Sequence, residues 1–284
     1  MSLVDPLEQT CLGRCLTPAE KLAARASLSR VSLDDPFGSL AFWGKIFGQK
    51  ADYLVARSLS TRLEIAKKFY FSADGGKTFA ELPKLDAWAI EKASKYHGQF
   101  IGDPGALLAE FKPTKPVAEG EEAEPEPEPE VAPRQMTELE RLSWTVQAID
   151  DATHIVIRGA YSRNAANDLT PSPTFAGLQS PGQLSDLRNY EHMRKPADPE
   201  NQLAEARAKL QFTSDAALDS IQGDVPRGCC WTVVPQEGSG GATVHLRNLV
   251  WPGFSARVSL GSRQPEQAGY FGYGQRNQDL VFTV

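Results

Sequence analysis

The chain reads as an α+β protein, a largely antiparallel β-sheet with several packed helices, and three observations give that class. From Thr243 to Gly274, polar and apolar residues alternate through three runs separated by Pro252-Gly253 and by a polar stretch ending at Gly269. That is the period-two pattern of strands with one buried face, so a three-stranded meander is expected. Capped helical stretches begin near Thr17, Asp86 and Thr137. Finally, Phe69-Tyr70-Phe71 and Thr78-Phe79 flank Asp74-Gly75-Gly76, a hairpin whose turn residues tolerate positive φ. Strands and helices of this kind, in separate runs, predict helices packed on an antiparallel sheet.

Taken in order, residues 1–38 form an N-terminal helical segment. Thr17-Pro18-Ala19-Glu20 supplies an N-cap, a proline at the first helical position and a glutamate three residues after the cap. The helix is expected to run towards Leu28 or Val31 with Leu22 and Ala26 on one side. Residues 39–111 make the first part of the fold. Leu40, Phe42 and Ile46 are expected on one side of a strand, with Trp43 and Phe47 on the other, and Asp52 to Ser58 reads as a helix or a second strand. A helix is expected from Leu85 to Tyr96, pairing Trp88 with Lys92 and Ala89 with Ala93.

Residues 112–135 are a linker by composition, alternating Glu and Pro with almost nothing to bury. Glutamate repulsion and proline stiffness keep such a segment extended, as a long loop of one fold or a boundary between two parts. The second part spans 136–284. Thr137 and Glu140 form a second capping box, followed by Leu139, Leu142, Val146 and Ile149 at helical spacing, with the helix stopping near Asp150-Asp151. His154 to Ile157 reads as a buried strand and Arg163 to Pro173 as a loop. Helices are expected at Leu184 to Tyr190 and Glu200 to Leu210, behind Ser180-Pro181 and Asp198-Pro199. A strand at Cys230 to Val234 and a turn at Gly238 to Gly241 lead into the meander.

Composition excludes several function classes. The net charge of −6 is concentrated in seven glutamates between Glu119 and Glu130, and the remainder of the chain is nearly neutral. Such a surface matches neither nucleic acid nor an anionic membrane. No apolar run is long enough to span a bilayer and Met1 to Glu8 lacks a signal-peptide layout, so the four cysteines are expected as free thiols in a reducing, intracellular compartment.

Motifs for chemistry fail on spacing. Gly76-Lys77-Thr78 and Gly38 to Lys45 lack the glycine spacing that wraps amides round a phosphate. Cys11, Cys15, Cys229 and Cys230 do not match zinc-finger spacings, and no G-x-S-x-G elbow exists. Ser72 to Phe79 resembles the Asp-box turn of sialidase-type propellers, a structural element that here occurs once. Asp150-Asp151 reads as a surface or capping pair rather than an acid/base pair. Gly269 to Gly274 has the aromatic content of an RNA-recognition strand without its basic surroundings. No catalytic residue, cofactor site or metal site is assigned. The alternative reading is a small-ligand or metal-binding enzyme with a site built from dispersed residues such as Asp151, His154, His245 and Arg247. Trp43, Trp251, Tyr270, Phe271 and Tyr273 remain as aromatics for the core or for a protein interface, because rings beside glycines anchor interfaces at low entropy cost.

A series of short motifs carries a family resemblance. Phe42-Trp43-Gly44-Lys45-Ile46-Phe47-Gly48 with Ala51-Asp52-Tyr53, then Gly102-Asp103-Pro104, Ile157-Arg158-Gly159-Ala160 and Phe175-Ala176-Gly177-Leu178 follow one another. Asp224-Val225-Pro226-Arg227-Gly228, Leu249-Val250-Trp251-Pro252-Gly253, and Tyr270 to Gly274 with Asn277, Asp279 and Leu280 complete the set. In this order, from about Ser39 to Val284, they resemble the radial spoke head protein 9 family, with a more distant similarity to radial spoke head proteins 4 and 6. The Glu/Pro linker departs from the family pattern. The resemblance implies a non-catalytic structural subunit of the radial spoke head in the axoneme of a motile cilium or flagellum. It further implies the other head proteins as partners, the 4 and 6 pair included, and a head that faces the central pair and relays signals to dynein-driven bending. No cofactor is implied.

Overall fold

The computed structural model describes residues 15–34, 40–58, 67–108, 134–165, 169–194, 217–238 and 241–279. The first part of the chain supplies α1 (Pro18–Asp34), β1 (Leu40–Ile46), β2 (Tyr53–Ser58), β3 (Phe69–Ser72), β4 (Ala80–Glu81), α2 (Ala87–Lys95) and β5 (Leu107–Leu108). There follow β6 (Met136–Thr137), α3 (Glu138–Thr153), β7 (Ile155–Ile157), β8 (Tyr161–Arg163), β9 (Leu169–Pro171) and α4 (Pro181–Ser185). Then come β10 (Tyr190–Met193), β11 (Leu218–Ser220), β12 (Trp231–Gly238), β13 (Gly241–Asn248), β14 (Phe254–Ser259) and β15 (Gln267–Gly272). The expected helix at Glu200 to Leu210, the Glu/Pro linker up to residue 133 and Cys11 lie outside the described residues, while Arg134 at the linker's end pairs with Asp86 and Glu140.

One sheet of eight strands organises these elements, in the order β12-β13-β14-β15-β1-β2-β3-β4. Every neighbouring pair is antiparallel except β1 and β15, which run parallel with Gly44 opposite Tyr270. The seam therefore joins the first aromatic cluster to the last. The strands approach closely there because residue 44 has no side chain: a Cβ on Gly44 would stand 2.3 Å from the Tyr270 carbonyl oxygen. The sheet, with its three longer helices α1, α2 and α3, is the α+β fold expected from the sequence.

Burial divides the sheet into two faces. On one face Ile46, Tyr53, Val55, Val244, Leu246, Phe254, Ala256 and Tyr270 form a single core with Leu142, Val146 and Ile149 of α3. The small sheet β11-β10-β7 adds Ile155, Ile157 and Tyr190 to the same core. On the opposite face α1 covers only the middle strands, with Leu16 and Ala24 against Phe42, Leu54 and Phe271, and Leu28 against Ala56 and Tyr70.

Several expectations need correction. Leu22 is 72% exposed and Ala26 is exposed too, while Ala24, Ser27 and Leu28 face inward. The hairpin turn packs on that face: Ser27 donates to the Gly76 carbonyl at 2.5 Å, and a Cβ on Gly76 would stand 3.1 Å from the Ala24 backbone nitrogen. Strict alternation in β1 fails because the register slips between Phe42 and Gly44, making Trp43 the extra residue of a β-bulge. Ile46 consequently joins Trp43 in the core, and Phe47 joins Phe42 on the α1 side. Residues 53–58, open between helix and strand, are strand.

Helix α3 does not stop at Asp150-Asp151 but continues to Thr153, whose hydroxyl donates to the Ile149 carbonyl at 2.6 Å. Between Arg163 and Pro173 the expected loop contains β9, which pairs with β8. The expected helix Leu184 to Tyr190 is broken, because Asp186 ends α4 and caps a separate 3-10 turn at Leu187–Asn189, and Tyr190 opens β10. The strand expected to reach Trp251 ends at Asn248, whose side-chain oxygen accepts from the Trp251 N–H at 2.8 Å.

Both capping boxes and the Asp-box-like turn form as read. Glu140 and Thr137 exchange backbone and side-chain bonds at the start of α3. The Asp74 carboxylate accepts from the Lys77 and Thr78 amides and from the Ser72 and Thr78 hydroxyls, with Gly75 and Gly76 at φ 74° and 93°.

Candidate functional site

Of the five aromatics singled out in the sequence, four are buried. Trp43, Trp251, Tyr270 and Phe271 are each no more than 6% exposed. Trp43 lies 5.7 Å from Tyr270, and Phe42 lies 6.0 Å from Phe271, so rings pack across the seam on both of its faces. The Tyr270 hydroxyl accepts from the Gly274 N–H at 2.9 Å, which fixes the chain just past β15. Tyr273 differs: it is 52% exposed, and its ring lies 5.4 Å from Phe47.

From Gly274 onwards, the chain after Tyr273 lines a groove of about 910 Å³. Tyr96 and Trp144 line it together with Val225-Pro226, Trp251-Pro252 and residues 274–279. Three of the sequence motifs, far apart in the chain, thus meet at one rim. Val225, 75% exposed, stands on that rim as an apolar side chain in water. Arg141 stiffens the floor, buried between the rings of Tyr96 and Phe100 at 4.6 and 4.0 Å while donating to the carbonyls of Gly98 and Gln99.

Two acids on α3 turn out to be structural hubs. Asp150 is 3% exposed, and therefore not the surface or capping residue expected. Its carboxylate accepts from Trp43 Nε1 at 3.0 Å, Arg57 at 3.1 Å and Lys67, fastening the helix to β1, to β2 and to the segment that leads into β3. Burial by itself would raise its pKa, but the Lys67 and Arg57 cations outweigh that and hold the carboxyl well below the usual range. Neighbouring His154 is pushed down to about 3 by burial and by the same two cations. At the other end of α3, fully buried Glu138 accepts from the Tyr53 hydroxyl at 2.6 Å and from the amides of Ile101, Gly102 and Asp103. A signal for both acids was present: Glu138, Leu142, Val146 and Asp150 share one spacing-of-four stripe, with a carboxylate at each end of the apolar pair.

The dispersed residues of the alternative reading do not converge. His154 contacts Lys67 and the Met193 carbonyl at the end of α3, whereas His245 contacts Gln236 on the far strands of the sheet. No group of three or more potential metal ligands occurs among the described residues, and Cys15, Cys229 and Cys230 are free thiols. No helix among the described residues is long and apolar enough to cross a membrane.

Fold and surface together define a class: an α+β protein on one mixed sheet whose motif segments gather at a solvent-facing groove. No family model matches the chain. Comparison with known proteins finds it 31% identical over 272 residues to "Radial spoke head protein 9 homolog" of Homo sapiens, covering 96% of this chain and 94% of that protein. The Mus musculus and Danio rerio proteins of the same name are 32% and 30% identical, with the same coverage. The chain belongs to the radial spoke head protein 9 family.

Proposed function

We propose that the chain is a non-catalytic structural subunit of the radial spoke head in the axoneme of motile cilia and flagella. It assembles with the other radial spoke head proteins, the 4 and 6 pair included, and the assembled head passes signals from the central pair to dynein-driven bending. The observation that carries this reading is the groove where motif segments converge, with Tyr273, the residue before its Gly274 wall, an exposed ring held on Phe47. Half-exposed rings held in place by a second ring lose little freedom on docking, which is the property of interface anchors.

The test is affinity capture of the tagged chain from salt-extracted cilia, with mass spectrometry of the bound proteins. Stable recovery of the other spoke head proteins is expected. Tyr273→Ser is expected to lower that recovery at least tenfold while the free chain keeps its melting temperature. Tyr270→Ser, in contrast, removes a buried ring and is expected to destabilise the free chain by about 3 kcal/mol. A wild-type chain recovered as a clean monomer sinks the reading, and a Tyr273→Ser chain that itself unfolds removes Tyr273 from the interface.

A further inference from the structure

On the face of the sheet that α1 covers, the cover stops at the middle strands. Beyond it, Thr232 and Val234 of β12, His245 and Arg247 of β13, and Ser255 and Arg257 of β14 share a face on which no helix among the described residues packs, and of the six only Ser255 is buried. None of the six belongs to a hydrophobic cluster among the described residues. Their register is fixed: His245 stands opposite both Val234 and Arg257, and Arg247 opposite Thr232 and Ser255. The two arginines are therefore diagonal neighbours, about 7–8 Å apart at the backbone.

Neither guanidinium makes a hydrogen bond or ion pair among the described residues, and the Nε atom of each is buried without a partner. Glu266, which follows on from this ladder, is already committed. Glu266 donates its backbone N–H to the Arg257 carbonyl, yet its carboxylate accepts from the Ser259 and Ser262 hydroxyls at 2.8 and 2.7 Å. An arginine whose Nε is buried without an acceptor while the rest of its fork remains partly exposed is open to an anion, and a planar carboxylate fits that fork.

Resting on the assembly reading above, we propose that this face docks an extended acidic segment of a partner protein, with carboxylates at alternate positions on Arg247 and Arg257. Alternate residues of an extended chain repeat every 6.6–6.8 Å, close to the diagonal spacing of the two arginines. Thr232 beside Arg247 offers a hydroxyl to the same segment. Nucleic acid does not fit: two arginines are too short a track for a phosphate backbone, and the six residues include no benzene or indole ring on which a base could stack.

Fluorescence anisotropy on the purified full chain in 50 mM salt tests this, with a labelled Thr-Glu octapeptide as probe and its Thr-Gln counterpart as control. The Glu peptide is expected to bind at least tenfold more tightly than the Gln peptide. Arg247→Gln/Arg257→Gln is expected to lose at least tenfold while keeping the circular dichroism of the parent, and Arg247→Lys/Arg257→Lys to retain part of the binding. Equal affinity for the two peptides, unchanged binding by the double Gln chain, or stronger competition by an oligothymidine overturns the proposal. Capture from cilia separates the two readings. If the wild type retains no spoke head proteins, the assembly reading fails; if wild type and double Gln chain retain them equally, only the docking face fails.

Discussion

Two groups of cations in this molecule make an instructive pair. Arg57 and Lys67 close on the buried carboxylate of Asp150, with His154 beside them. Arg247 and Arg257, with His245 between them in the ladder, close on nothing within the described chain. The first group has its counter-charge supplied by α3 and binds helix to sheet. The second is likewise two cations and a histidine, but lies on a sheet face where no helix packs among the described residues. One cluster holds the fold together, and the other holds charge in reserve for something outside it.

The largest expected effect breaks the first cluster. Asp150→Asn leaves Arg57 and Lys67 without their carboxylate and should cost about 3 kcal/mol in urea unfolding, the range seen when one partner of a buried pair is removed. A loss below ~1 kcal/mol would show the cluster to be ornamental.

Acid is the second probe. Both Asp150 and His154 have folded pKa values below their unfolded ones, so the unfolded chain takes up the protons more readily. Their contribution is complete above about pH 6.5, where unfolded histidine is neutral, and is lost as pH falls. His154 governs the decline from there towards about 3, and Asp150 adds its own decline below the usual carboxylate range. One proton corresponds to a slope of at most about 1.4 kcal/mol per pH unit. His154→Gln should flatten the upper limb of a stability-against-pH curve, and Arg247→Gln/Arg257→Gln should leave both limbs in place.

The smallest effect belongs to the second cluster. Replacing Arg247 and Arg257 by Gln should change unfolding free energy by less than ~0.5 kcal/mol, towards greater stability, because two like charges on adjacent strands repel. A substantial loss of stability would erase the contrast and make both clusters structural.

What the sequence disclosed follows local physics. The meander was legible because Val244 and Leu246 alternate with His245 and Arg247, and the capping boxes because Thr17/Glu20 and Thr137/Glu140 sit three apart. The bulge at Trp43 was not, since an inserted residue disturbs the period without a mark of its own. The same holds for α1, whose inward face includes Ser27, bonded to the Gly76 turn, as well as Ala24 and Leu28, while Leu22 points to solvent. Pairing of β1 with β15 depends on residues at opposite ends of the chain, beyond any local window. Tyr270 and Tyr273 look alike in sequence; only the end of β15 at Gly272 separates a buried ring from an exposed one. Asp150 was passed over because two adjacent acids usually mark solvent, although its place on the α3 stripe pointed inward.

The parallel seam also has a consequence for how the protein is made. Strand β1 leaves the ribosome early, and β2 can pair with one of its edges soon afterwards. Its other edge waits for β15, which at ordinary rates of translation emerges roughly ten to forty-five seconds later. Throughout that interval the nascent chain displays an aromatic strand edge of the kind that recruits other chains. A message truncated ahead of Gln267 makes that interval permanent, so such products are expected to be cleared or to aggregate rather than to persist as shortened, partly working subunits.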